Sequence, residues 1–97
     1  MPYAVVVTFV VKPNIIADFM SLMHANAQSS LSLEEGCLQF DVATDLDRVD
    51  EVFLYEIYTN RAAFDLHLAS AHFKTFDAAV AAMITSKDIR TYAQVAQ

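Results

Sequence analysis

"CLQFDVATDLDRVDEVFLYEIY", residues 37–58, decides the fold. In residues 37–44 Leu38, Phe40 and Val42 point one way and Gln39 and Asp41 the other, the period of a strand with one wet face. "DLDRVDE", residues 45–51, is a polar turn. In residues 52–58 Val52, Leu54, Glu56 and Tyr58 oppose Phe53, Tyr55 and Ile57, so this strand is apolar on both faces. Two strands joined by so short a polar stretch pair as an antiparallel hairpin.

Elements flank the hairpin on both sides. "YAVVVTFVV", residues 3–11, is β-branched and aromatic, hence a strand, and Pro13 and Asn14 interrupt it. From Ile15 to about Leu33 the apolar residues Ile16, Phe19, Met20, Met23, Ala27 and Leu31 recur at helical spacing, and Gly36 ends the turn that follows. Beyond the hairpin, Asn60 suits the N-cap of a short helix through Leu68. Ser70 suits the N-cap of a second helix through about Ile84, and residues 88–95 read as a last strand. The order β-α-β-β-α-β is α+β and ferredoxin-like, with an antiparallel sheet covered on one face by helices. The uncovered face does not turn polar, because Ala4, Val6, Thr8 and Val10 oppose Tyr3, Val5, Val7, Phe9 and Val11. Sheet-on-sheet packing of two chains about a two-fold axis is the expected remedy, giving a homodimer.

Composition agrees. The chain has 97 residues, suiting one domain over residues 1–97, and 56% are hydrophobic against an ordinary share of about 45–50%. A net charge of −6 with six Lys and Arg leaves no basic patch for nucleic acid or an anionic membrane. A lone cysteine, Cys37, excludes an internal disulfide framework and suits a cytoplasmic setting. The apolar N-terminal run is short and strand-like, so neither a signal peptide nor a membrane span is expected.

"EEGCLQFDV", residues 34–42, before the hairpin and "FLYEIYTNRAAFDLHLASAHFKTF", residues 53–76, across and after it resemble the antibiotic biosynthesis monooxygenase (ABM) family. The resemblance spans nearly the whole chain. Its specific parts are the Glu-x-Gly-Cys turn, the Tyr-Glu-x-Tyr strand and the His-x-x-Ser-x-His-Phe segment. It implies a dimeric α+β barrel. Members include cofactor-free quinol-forming monooxygenases, haem-degrading enzymes and a non-oxidative isomerase of phosphorylated autoinducer-2. Haem degraders of the family resemble one another in a Trp, which this chain lacks. The expectation is therefore a cofactor-independent monooxygenase oxidising a small aromatic, phenol- or quinol-like substrate with O₂. An isomerase of a small carbonyl metabolite and a non-catalytic dimeric module that binds a small ligand are the alternatives.

His67 and His72 are five residues apart and would diverge by roughly 140° on one helix, so no dedicated metal site is expected. Gly36 is the only glycine, so no flavin or nicotinamide loop exists and no cofactor is expected. His72 falls in the first turn of a helix, where the dipole disfavours imidazolium, and is the first choice for a base or hydrogen-bond donor. Tyr55, a strand phenol whose hydroxyl needs a partner, is the second catalytic candidate. His67 and Glu56 are candidate substrate-binding residues, since an inward carboxylate must be paired or serve a pocket. Asn26 is added from the family resemblance, and His24 reads as a helix-edge residue. Phe40, Phe73 and Met23 would give an apolar lining with Met20, Val42, Phe64 and Phe76. Cys37 reads as a small hydrophobe. His72→Ala is expected to cost more activity than His67→Ala.

Overall fold

A computed structural model describes residues 1–97. Its elements run β1 (Tyr3–Val11), α1 (Ile16–Leu33), β2 (Cys37–Asp45), β3 (Arg48–Tyr58), α2 (Arg61–Ala69), α3 (Ala71–Val80), one 3₁₀ turn (Ala81–Met83) and β4 (Ile84–Tyr92). The four strands form one antiparallel sheet in the order β2-β3-β1-β4. This is the ferredoxin-like α+β architecture the element order predicts. No helix is long and apolar enough to cross a membrane.

Alternation along the two central strands sorts the faces. Val5, Val7, Phe9 and Val11 of β1 and Val52, Leu54 and Tyr58 of β3 are buried against Phe19 and Met23 of α1 and Phe76 and Val80 of α3. Phe9, Phe19 and Phe76 meet edge-on with ring centroids 5.3, 6.5 and 6.0 Å apart, a favoured arrangement of aromatic quadrupoles. On the other face Val6, Thr8, Val10 and Tyr55 are half-buried and Phe53 is exposed.

Four local details differ from the sequence reading. The hairpin turn is tighter: Asp45 pairs with Arg48, leaving only Leu46 and Asp47 at the tip, where the Asp45 carboxylate accepts from the Asp47 N–H at 2.9 Å. The polar residues Arg48, Asp50 and Glu51 are strand because pairing, not polarity, sets the ladder's length. The alternation in β2 breaks at a register shift between Cys37 and Gln39, so Leu38 is exposed while Cys37 and Phe40 are buried. An extra residue in one strand resets which face its neighbours take. Finally, α3 stops at Val80, and β4 spans Ile84–Tyr92 rather than residues 88–95. The Lys12 N–H donates to the Met83 carbonyl at 2.9 Å, which fixes where the last strand begins.

Candidate active site

Two neighbouring features on the helix side of the sheet carry the polar chemistry. The first is a node at the end of α1. Glu34 follows the last turn of that helix, its N–H donating to the Ser30 carbonyl at 3.1 Å. The next turn is pressed against α2. A Cβ added at Gly36 would lie 2.5 Å from Ala63 Cβ, so only glycine fits. Asn60 caps α2 by accepting from the Ala63 N–H at 2.9 Å. Ser70 ends α2 and caps α3, its Oγ donating to the His67 carbonyl at 2.7 Å and accepting from the Phe73 N–H at 3.2 Å. That extended Ser70, between two short helices, lets histidines five residues apart meet one carboxylate. Glu34 Oε2 lies 2.7 Å from His67 Nδ1 and 2.5 Å from His72 Nε2. Ser30 Oγ, 3.4 Å from His67 Nδ1, donates its proton to the Asn26 carbonyl at 2.8 Å. Glu34 Oε1 is buried without a partner.

The second feature is a cavity of about 90 Å³ between the sheet and α2 and α3. Its wall is mostly apolar, with Phe40, Phe64, Phe73 and Phe76 among the lining residues, and Asn26, Glu56, His67 and Lys87 supply the polar groups. Glu56, on β3, is buried, and Tyr58 two residues on donates its hydroxyl to Glu56 Oε1 at 2.5 Å. Burial raises the Glu56 carboxyl to about 7, against the lowering effect of the Tyr58 hydrogen bond; Glu34 raises it further and Lys87 opposes. Burial next to Glu56 also drives the Tyr58 hydroxyl far above its ordinary range. His67 is lowered, first by burial, with Glu34 pulling the other way. Asn26 Oδ1 is buried and has no partner in the chain. Burial, then Glu34 and Glu56, pushes the Cys37 thiol up to about 12, so it stays protonated and inert as a nucleophile.

The candidate residues divide between these places. Asn26, Phe40, Glu56, His67 and Phe73 line the cavity. His72 lines a different groove, between α1 and α3, that it shares with Asn26, Ser29 and Thr75. Met23 is wholly buried in the core. Tyr55 sits on the far face of the sheet, paired with Val6 and Asp41, while its neighbour Glu56 faces the cavity. His24 borders a separate surface groove with Leu31 and Val42. Glu34 and Tyr58 were not among the sequence candidates. Both stand in the stretches that carry the family resemblance, but their partners are 33 residues away for Glu34 and on the same strand face for Tyr58.

The donor atoms of Glu34, His67 and His72 all lie within 4.8 Å of one another. Two histidines and a carboxylate suit zinc or ferrous iron. The contacts at 2.7 and 2.5 Å are hydrogen-bond lengths, shorter than the spacing of about 3 Å that ligands keep around an ion bound at 2.0–2.1 Å. As they stand, the three groups are joined by hydrogen bonds. What the cavity offers chemically is proton transfer to and from a small, mainly apolar molecule.

Comparisons with known proteins agree with this architecture. Residues 2–79 match the antibiotic biosynthesis monooxygenase family. An isomerase of (4S)-4-hydroxy-5-phosphonooxypentane-2,3-dione from Yersinia enterocolitica is 36% identical over 63 residues, a match spanning 65% of this chain and 65% of that protein. A Nitrosomonas europaea protein assigned to the antibiotic biosynthesis monooxygenases superposes with a TM-score of 0.91 at 25% identity, covering 97% of this chain and 90% of its own. Rv0793 from Mycobacterium tuberculosis gives 0.90 at 26% identity, covering 100% of this chain and 98% of its own. The chain belongs to the antibiotic biosynthesis monooxygenase family.

Proposed function

We propose that the protein is a cofactor-independent monooxygenase of a small phenol- or quinol-like compound. The observation that carries this reading is the Glu56 carboxyl, held at about 7 in a cavity walled by aromatic rings. A base near neutrality serves proton removal best. Deprotonation makes a phenol electron-rich enough to reduce O₂ itself. One oxygen atom enters the ring, two hydrogens of the substrate leave with the other as water, and the product is a quinone. Asn26 Oδ1 is left to accept from a substrate hydroxyl. The cavity is smaller than the roughly 150 Å³ that holds a benzene in an engineered core, so a ring enters as the exposed rim at Ile89 and Lys87 on β4 gives way.

A second reading is isomerisation of a small carbonyl compound. The match to the Yersinia isomerase favours it, as does the presence of two titratable groups, Glu56 from the sheet and His67 from α2, in one cavity lining. Both reactions begin with a proton abstraction, from a phenolic O–H in the first and from the carbon beside the carbonyl in the second. Oxygen uptake with a panel of dihydroxynaphthalenes separates them. The first reading expects consumption of one O₂ per quinone formed, with neither added flavin nor loss on exhaustive chelation. Deuterium exchange into a small hydroxyketone without oxygen uptake would establish the second instead. The half-buried apolar strip of Val6, Val10 and Tyr55 beside exposed Phe53 supports assembly as a homodimer through the uncovered sheet face, which sedimentation at micromolar concentration tests.

A further inference from the structure

We infer that Glu34 is a positioning residue that holds His67 as the Nδ1–H tautomer, so that His67 Nε2 is the bare nitrogen of the cavity wall and acts as a base there. This rests on the acid–base reading of the cavity.

The argument starts from what surrounds Nδ1. Glu34 Oε2, at 2.7 Å, can only accept when the carboxylate is ionised. Ser30 Oγ, at 3.4 Å, has already given its one proton to the Asn26 carbonyl and can only accept as well. Two acceptors facing one ring nitrogen require an N–H between them. A neutral imidazole carries one N–H, so Nε2 is left with its lone pair. No group of the chain occupies Nε2, while the ring is part of the cavity wall. Its orientation is fixed on several sides: Phe64 is stacked on it at 6.2 Å, and Phe73, Tyr58 and Phe40 have centroids at 5.0, 5.5 and 6.0 Å. Burial favours the neutral ring, although Glu34 opposes that.

His72 completes the device from α3. Its Nε2 meets the same oxygen at 2.5 Å, so the carboxylate is gripped from two sides while Oε1 has no partner at all. When His67 Nε2 takes one of the two protons the substrate gives up, with Glu56 in the same cavity for the other, the substrate keeps the electron pair. The new imidazolium then presents Nδ1–H to a carboxylate already aligned to stabilise it. Other ionisable groups on this side are Glu56 of β3 and Lys87 of β4, which line the same cavity, and Tyr58, whose ring is 5.5 Å from His67 and whose hydroxyl is bonded to Glu56.

Nitrogen-15 NMR of the whole protein, with the ring signals assigned through His67→Gln and His72→Gln, reads the tautomer directly and needs no substrate. Expected is a protonated Nδ1 and a bare Nε2 at His67 in the neutral form. A neutral His67 protonated at Nε2 overturns the inference, whatever the protein's reaction proves to be. Glu34→Gln should introduce the Nε2–H form, and Glu34→Asp should retain more of the native one. On an accepted substrate Glu34→Gln should lower kcat by at least about tenfold with KM little changed, as an orienting carboxylate does elsewhere. It should cost nothing further in a His67→Ala background. Additive losses in that cycle would show that Glu34 only supports the fold and overturn the positioning role. Turnover absent on every substrate, with the Nδ1–H tautomer present, would count against the proposed reaction alone.

Discussion

Glu34 and Glu56 are both carboxylates turned away from water, and their surroundings differ in one respect. Glu34 meets two imidazole nitrogens, groups able to carry positive charge. Glu56 meets a phenol, which donates a hydrogen bond and never a positive charge. For Glu56 the desolvation cost of its anion therefore outweighs the single hydrogen bond, and its carboxyl rises to about 7. The same residue type serves as an anchor in one place and as a group poised to exchange a proton in the other.

The contrast breaks first at Glu56. Glu56→Gln keeps an oxygen for the Tyr58 hydroxyl but cannot take a proton. Turnover is expected to fall by about 10²–10⁴ while circular dichroism is unchanged. Full activity in this variant would move the acid–base role to His67 alone.

Stability should carry the same mark. The folded carboxyl lies at about 7 and its ordinary value is 4.5, so the folded state holds the proton more tightly than the unfolded chain. Glu56 thus contributes most below 4.5, and that contribution is lost as pH rises through about 7, on the order of 3 kcal/mol in all. His67 acts in the opposite sense, since its lowered pKa makes folding less favourable as pH falls below its ordinary 6.5. Urea unfolding of wild type and Glu56→Gln at pH 5 and pH 8 separates the two effects. The wild type is expected to lose stability relative to the variant on going to pH 8, and a constant difference would show that Glu56 is not held neutral.

The histidines sharpen the comparison further. Sequence alone ranks His72 above His67, from its place at a helix start. The structure puts His67 on the cavity wall and His72 in a different groove. His67→Ala is now expected to cost about a hundredfold in kcat, as loss of a general base does, and His72→Ala about tenfold or less through slackening of Glu34. The reverse order, measured on one substrate, would relocate the chemistry to the groove between α1 and α3.

Most of the fold could be read from the residues, because alternation and helical spacing are local signals. The span of β1, the split β-α-β-β-α-β order and the caps at Asn60 and Ser70 all follow from them. What escaped depends on pairing. Only the neighbouring strand reveals that Asp45 pairs with Arg48, and only the shift after Cys37 reveals that Leu38 turns outward. The site divides in the same way. Glu56 stood out because a carboxylate in an apolar strand needs a reason. Glu34 did not, because an acidic residue at a helix end is ordinary until two histidines from a distant segment converge on it.

The smallest expected effect lies at the turn that carries Glu34. Gly36 has an ordinary backbone conformation, since the one positive φ in the chain belongs to Asn14, so its role is spatial. In Gly36→Ala the new methyl would sit 2.5 Å from Ala63 Cβ and 3.2 Å from Thr59 Oγ1. Neither neighbour is the free end of a long side chain, so α2 must move away from the turn. Such overpacking costs about 1–3 kcal/mol, read as a lower urea midpoint with an unchanged slope. Because α2 bears His67 and the turn bears Glu34, the same shift should lengthen the 2.7 Å contact and admit the Nε2–H tautomer. Ala63→Gly removes the nearest atom in the way, leaving Ala63 Cα at 3.6 Å, an ordinary contact. The double variant should therefore regain part of the stability lost by Gly36→Ala, though glycine inside a helix costs about 1 kcal/mol of its own. It should also regain the native tautomer. Recovery of neither would mean that the turn and α2 are held together by something other than this contact, such as the Thr59 N–H donating to the Gly36 carbonyl at 2.9 Å.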